Sequence, residues 1–262
     1  MRPSLAFLAV LVAGAVAASA SDPPCRVVSL APNVTGMLLA LGAGDRLVGV
    51  TSFCDAPAAV PRIQGGIEPE SEAILAASPD LVLATPMTPP ATRRQLARLG
   101  LRVEVVDASS LASIREAMAR LAGILAVEPH HEPAPAVANG KNRSVALLFG
   151  ADTGYSAGPG THAHEILEAA GLRNIAAGAG GPWPQLGEEF LLAANPDILI
   201  VADYGNANRE EILASLRTHP VRRHLQAVRE GRLIVVPAPV FSVPGPGALE
   251  AADQLRAKLH LP

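Results

Sequence analysis

One twelve-residue pattern occurs twice in this chain. Glu72-Ala-Ile-Leu-Ala-Ala-Ser-Pro-Asp-Leu-Val-Leu83 aligns position for position with Glu189-Phe-Leu-Leu-Ala-Ala-Asn-Pro-Asp-Ile-Leu-Ile200. Each copy reads as a helix that opens on Glu and stops at Pro-Asp, because proline lacks the N–H that a helix interior needs. Each then runs directly into an apolar stretch short enough to be a buried strand. Helices that feed buried strands are the building unit of sheets covered on both faces. Two such units, one on each side of a proline-rich segment, predict two lobes of similar build.

The remaining sequence keeps the same rhythm. Arg26–Leu30, Leu47–Val50, Leu81–Ala84 and Val103–Val106 read as buried strands, with helices expected at Thr35–Leu41, Ser71–Ala77 and Ala91–Leu99. Ser109-Ser110 is placed to cap a further helix whose apolar positions are Leu111, Ile114, Met118, Leu121 and Leu125. Residues 127–143 break the alternation with Pro129, Pro133, Pro135 and Gly140, and read as a linker. Beyond it, strands are expected at Ser144–Phe149, Ile198–Ala202 and Leu233–Val236. Helices are expected at His162–Ala170, Glu188–Ala194, Arg209–Leu216 and Ala248–Leu259. The expected fold is α/β, with two lobes of mainly parallel sheet, a short proline-rich linker and a ligand cleft between the lobes.

The amino end reads as an address. Arg2, an apolar run from Leu5 to Val16 and the small-x-small site Ala18-Ser19-Ala20 make an export signal over residues 1–20. Cleavage there leaves an amino-terminal lobe at 21–126, the linker at 127–143 and a carboxy-terminal lobe at 144–262. The formal charge moves from −3 to −4, with no basic block, so nucleic acid is excluded as an expected partner. Cys25 opens the first strand and Cys54 follows the second. In parallel neighbours they sit at opposite ends, roughly 15 Å apart, too far for a disulfide.

Aromatic residues are scarce, so their placement is informative. Phe53, Tyr155, Trp183, Tyr204 and Phe241 all fall in expected loops, four of them following strands. Ligands of open parallel sheets bind at the carboxyl ends of strands, so these rings point to a cleft that grips a large, flat or greasy ligand. Glu72 and Glu189 sit at helix starts, where the dipole favours negative charge. They also offer one exposed carboxylate per lobe to the arginines of a partner.

Two other chemistries have partial signals in the sequence. Gly154-Tyr-Ser-Ala-Gly158 fits the G-x-S-x-G of a hydrolase elbow with Ser156 as nucleophile, and Asp197, Asp203, His219 and His224 follow in acid-then-base order. Yet Ala151-Asp-Thr153 separates the motif from its strand, and Pro159-Gly160 delays the helix. A bound zinc or manganese would need convergent ligands. His130-His131 lie in the linker, and His162 and His164 diverge on one helix. No phosphate-binding glycine loop is present.

Several segments resemble the periplasmic binding proteins that serve vitamin B12, haem and ferric-siderophore importers, and among them the cobalamin-binding branch. These are Arg26-Val-Val-Ser-Leu-Ala-Pro32, Val48-Gly-Val-Thr-Ser-Phe-Cys-Asp-Ala-Pro57, Glu72 to Leu83, Val106-Asp-Ala-Ser109 and Gly181-Pro-Trp-Pro-Gln-Leu186. The resemblance implies two Rossmann-like lobes with the corrinoid held between them, in a monomeric, non-enzymatic, periplasmic protein without a permanent cofactor, carrying cobalamin to the membrane subunits of an ABC importer. It implies that Phe53, Asp55, Tyr155 and Trp183 contact the ligand, that the loop from Phe241 to Pro246 completes the pocket, and that Glu72 and Glu189 dock on the importer. A ferric siderophore or haem is the alternative ligand. The chain departs from the family in its short linker, where the family has a long helix, and in Gly65-Gly66, where a cleft aromatic is expected.

Overall fold

The computed structural model of the protein describes residues 22–66, 68–128, 142–205 and 207–259. The expected leader and most of the expected linker lie outside the described residues. In chain order the first half holds β1 (Val27–Ser29), α1 (Pro32–Ala40), β2 (Leu47–Thr51), β3 (Arg62–Ile63), α2 (Ser71–Ala76), β4 (Leu81–Ala84), α3 (Pro90–Arg98), β5 (Val103–Val105) and α4 (Leu111–Leu125). The second half holds β6 (Ser144–Phe149), α5 (His162–Ala169), β7 (Arg173–Asn174), α6 (Glu188–Ala194), β8 (Ile198–Asp203), α7 (Arg209–Thr218), α8 (Gln226–Arg229), β9 (Leu233–Pro237), α9 (Ala238–Ser242) and α10 (Gly247–Leu259).

The strands form two sheets, ordered β3-β2-β1-β4-β5 and β7-β6-β8-β9. Every pairing is parallel. Parallel sheets bury both faces, and Leu81–Ala84 and Ile198–Ala202 are accordingly buried at every residue.

The repeated pattern has a structural cause. Ser78 and Asn195, the residues before each Pro-Asp, end their helices at φ of 45° and 35°, in the left-handed region. There Asn195 accepts a hydrogen bond from the Gln226 N–H at 2.9 Å, while the Arg26 guanidinium takes the Ser78 and Ala77 carbonyls at 2.8 and 2.6 Å. The aspartates then pin the neighbouring strand. Asp80 accepts from the Cys25 and Arg26 N–H groups, both at 3.0 Å, where β1 begins. Asp197 accepts from the Ser144 hydroxyl at 2.6 Å and the Ser144 N–H at 2.8 Å, where β6 begins. The hydroxyl, and after it the N–H, hold the Asp197 carboxyl below its ordinary pKa, since both bonds favour the charged form.

One apolar cluster joins the lobes. The five apolar positions expected on α4 are all buried, and Ser110 caps its start through a reciprocal bond with Ser113. This helix packs on α5 and α10, and Leu121, Leu125, Ile166, Leu249 and Leu255 share a single core with residues of both sheets. Each such buried side chain contributes about 1.5–3 kcal/mol. The Leu111 N–H also donates to Glu165 of α5 at 2.6 Å. Packing of α4 therefore couples the lobes, whatever the character of the linker.

Cys25 and Cys54 are free, as the parallel register of β1 and β2 requires. One edge strand of each sheet, β3 and β7, has only two residues, too few to show a period. No helix among the described residues is long and apolar enough to cross a membrane.

Candidate functional site

All strands of a parallel sheet end on the same edge. The loops leaving that edge of the first sheet face loops of the second across a cavity of about 640 Å³. Asn33 after β1, Phe53 after β2, Gly66 after β3, Met87 after β4 and Asp107 after β5 line one wall. His162, Trp183 and the segment Ser242–Pro244 line the other. A second cavity of about 430 Å³ shares Trp183 and Ser242 and adds Phe149, Tyr155, Ser156 and Tyr204. Trp183 thus stands between the two spaces, braced by Phe149 with ring centroids 5.8 Å apart and a 57° tilt, a favourable aromatic geometry.

Local backbone pairing explains how the rings are held. The segment from Gly154 to Gly158 runs antiparallel to that from Gly181 to Leu186. Ser156 donates to the Pro184 carbonyl at 2.9 Å, Gly158 to Pro182 at 2.8 Å, and Leu186 to Gly154 at 2.8 Å. A Cβ on Gly154 or Gly158 would run into the Leu186 or Gly181 carbonyl. The glycines of the G-x-S-x-G pattern are therefore there for close backbone approach. No elbow forms, since α5 begins only at His162. Ser156 Oγ has no hydrogen-bond partner among the described residues, and His219 Nδ1 is already taken by the N–H groups of Val221 and Arg222.

Phe53, Tyr155 and Trp183 are brought to these cavities and remain 64%, 56% and 49% exposed. Gly66 lies flat against Phe53, its missing Cβ 3.1 Å from the ring. The position expected to carry a second aromatic therefore supports the first instead. One expectation is corrected. Phe241 is not in a loop: it sits on α9, 2% exposed, inside the apolar core. The short helix turns this ring inward and leaves Ser242, Val243 and Pro244 on the cleft. Asp55 is exposed but is not on either cavity wall.

Glu72 and Glu189 are exposed in the first turns of α2 and α6. Each helix runs antiparallel to the strand it feeds, so its start lies at the carboxyl edge of its sheet, where the cleft opens. Glu188, next to Glu189, has a different task. Its carboxylate accepts from buried Arg222 at 2.7 Å (Nη2) and 3.0 Å (Nε), while Ala151 takes the remaining guanidinium edge.

The cavity walls are nearly uncharged. Among the described lining residues Asp107 is the one carboxylate, and none is Lys or Arg. Burial pushes the His162 pKa down to about 4, against the raising effect of a hydrogen bond with the Val240 backbone, so the ring is neutral at pH 7. His164, on the same helix, is held by Asn174 at 3.0 Å and Glu168 at 3.3 Å. Met87, Asp107 and His162 also line the cleft, where the sequence reading does not expect them. Their position directly after a strand, or at a helix start that follows one, was the available signal.

A family model described as periplasmic binding protein matches residues 27–240. The vitamin B12-binding protein of Salmonella choleraesuis is 34% identical over 196 residues, covering 68% of this chain and 72% of that protein. The periplasmic haem-binding protein of Pseudomonas aeruginosa superposes with a TM-score of 0.70 at 26% identity, covering 90% of this chain and 92% of the other. The periplasmic vitamin B12 binding protein of Vibrio cholerae gives 0.69 at 23% identity, covering 91% and 97%. That last likeness speaks to fold alone.

Proposed function

The chain belongs to the periplasmic binding protein family, and from that premise we propose that it captures cobalamin or a related corrinoid and hands it to the membrane subunits of an ABC importer. The observation that carries this reading is the cleft itself, walled by exposed rings and free of cations among its described residues. A buried carboxylate needs a counter-charge or several donors. Haem brings two carboxylates and ferric siderophores are commonly anionic, whereas cyanocobalamin has no net charge and is edged with amides. Phe53, Tyr155 and Trp183 supply flat apolar faces to such a ligand. The two cavities that meet at Trp183 suit a broad body with a lateral arm. The vitamin B12-binding relative in Salmonella choleraesuis supports the same ligand.

In this reading the protein works in the periplasm after cleavage near Ala20, and the corrinoid is cargo rather than a cofactor. Glu72 and Glu189 seat the loaded protein, one carboxylate per lobe, on arginines of the importer. Calorimetric titration of the mature protein with cyanocobalamin, haem and a ferric siderophore tests the ligand. One-to-one binding of cyanocobalamin alone is expected, while heat from an iron complex with silence for cyanocobalamin would overturn the corrinoid. Reversing charge at both Glu72 and Glu189 should leave titration curves unchanged and abolish uptake by cells. A fall in ligand affinity in that variant would place the glutamates in the binding site instead.

A further inference from the structure

Two polar side-chain atoms on the cleft walls, Ser156 Oγ and His162 Nε2, are unused among the described residues. Ser156 is 1% exposed and its Oγ has no hydrogen-bond partner among the described residues. His162 is 2% exposed, and its Nε2 likewise has none. Interiors rarely leave such atoms unmet, because a buried polar group without a partner loses its hydration and gains nothing in return. A ligand that meets them relieves that penalty. Both residues face the site: Ser156 lines the smaller cavity and His162 the larger. Both are also held in place. The Ser156 backbone is tied to Pro184, and His162 opens α5 directly after its cap, Thr161, which accepts from the His164 N–H at 3.1 Å.

Their chemistry selects the group that fits. A serine hydroxyl both donates and accepts, and a neutral imidazole has one nitrogen of each kind. A primary carboxamide, with a carbonyl and an N–H pair, can satisfy both. A carboxylate has no hydrogen to give, and its charge would enter a cleft holding Asp107 and no described cation. We propose that Ser156 and His162 read uncharged carboxamide groups at the edge of the ligand, and that the cleft rejects the same ligand once those amides become carboxylates. This rests on the corrinoid reading, since the corrin rim carries such amides.

The test compares cyanocobalamin with cyanocobalamin whose peripheral carboxamides have been hydrolysed, titrated into the mature protein at neutral pH. The wild-type protein should prefer the intact compound by at least about tenfold, the worth of one buried hydrogen bond. Ser156→Ala and His162→Phe should each weaken intact cyanocobalamin by about tenfold, and the double variant should narrow the preference. His162→Gln, which keeps a donor and an acceptor, should recover part of the affinity. Ser156→Ala should not lower the thermal midpoint of the free protein, because the hydroxyl is unmet there. Equal binding of both compounds by the wild-type protein would overturn the inference and leave the corrinoid reading standing. So would folded Ser156→Ala and His162→Phe variants with wild-type affinity. The ligand comparison needs no variant, so misfolding cannot mask it. Failure of the wild-type protein to bind cyanocobalamin at all would remove the corrinoid reading and this inference with it.

Discussion

Replacing Glu188 by glutamine should lower the unfolding temperature of this protein, whereas the same change at Glu189 should leave it where it is. The Arg222 side chain is 2% exposed and that of Glu188 is 35% exposed. Two of the guanidinium nitrogens reach the Glu188 carboxylate, and the third reaches the Ala151 carbonyl. Taking one partner from a buried ion pair costs about 3–5 kcal/mol, because the other charge stays buried without compensation. Here water reaches the carboxylate side and glutamine keeps an acceptor oxygen, so a cost of about 2 kcal/mol is expected. In a chain of this size each kcal/mol moves the midpoint by about 2–4 °C, giving a fall of about 4–8 °C. Glu189 is exposed and forms no ion pair among the described residues, so Glu189→Gln should be silent. Thermal unfolding followed by circular dichroism at neutral pH reads both variants. Adding Arg222→Met to Glu188→Gln should recover part of the loss, since the uncompensated charge is then gone. The reasoning fails if Glu188→Gln melts with the wild-type protein, or if Glu189→Gln falls as far.

Trp183→Ala should weaken cyanocobalamin binding by about 1–3 kcal/mol, the scale of a large ring taken from a binding wall. Full-strength binding in calorimetry would remove Trp183 from the site. His162 predicts a pH dependence of stability. Its folded pKa is about 4 against 6.5 unfolded, so between those values the unfolded chain holds a proton that the folded chain refuses. Stability should therefore fall as the pH drops from about 6.5 to about 4, by up to about 3 kcal/mol, and this group contributes no further loss below that. Urea unfolding at pH 7 and pH 4.5 should show a smaller difference in His162→Phe than in the wild-type protein, and an equal difference would refute the assignment.

Much of the fold was legible because it rests on local periods. Ser144–Phe149 and Glu188–Ala194 were read with the bounds they have, since buried parallel strands are unbroken apolar runs and helices have identifiable ends. The two-residue edge strands β3 and β7 carry no period and were missed. The site was legible only as a class of residue. Rings in loops after strands gave Phe53, Tyr155 and Trp183, but the same rule placed Phe241 on the cleft. Pro239 in the first turn allows a short helix there, and that helix points the ring into the core.

The repeated Glu-to-Ile/Leu pattern determined, by itself, that this chain builds parallel α/β units twice. Helix stop, Pro-Asp and buried strand are neighbours in sequence and act through the backbone. The tertiary structure alone decided what each side chain does. Glu188 and Glu189 are adjacent and chemically identical, yet a guanidinium 34 residues away fixes one and leaves the other exposed, with no ion pair among the described residues. Ser156 and His162 stand out in the sequence only as a hydrolase serine and a metal-ligand histidine, and their meaning lies in Oγ and Nε2 atoms left without a partner among the described residues once the chain has folded. Such assignments depend on what approaches from elsewhere in the chain, and only the assembled cleft brings those groups together.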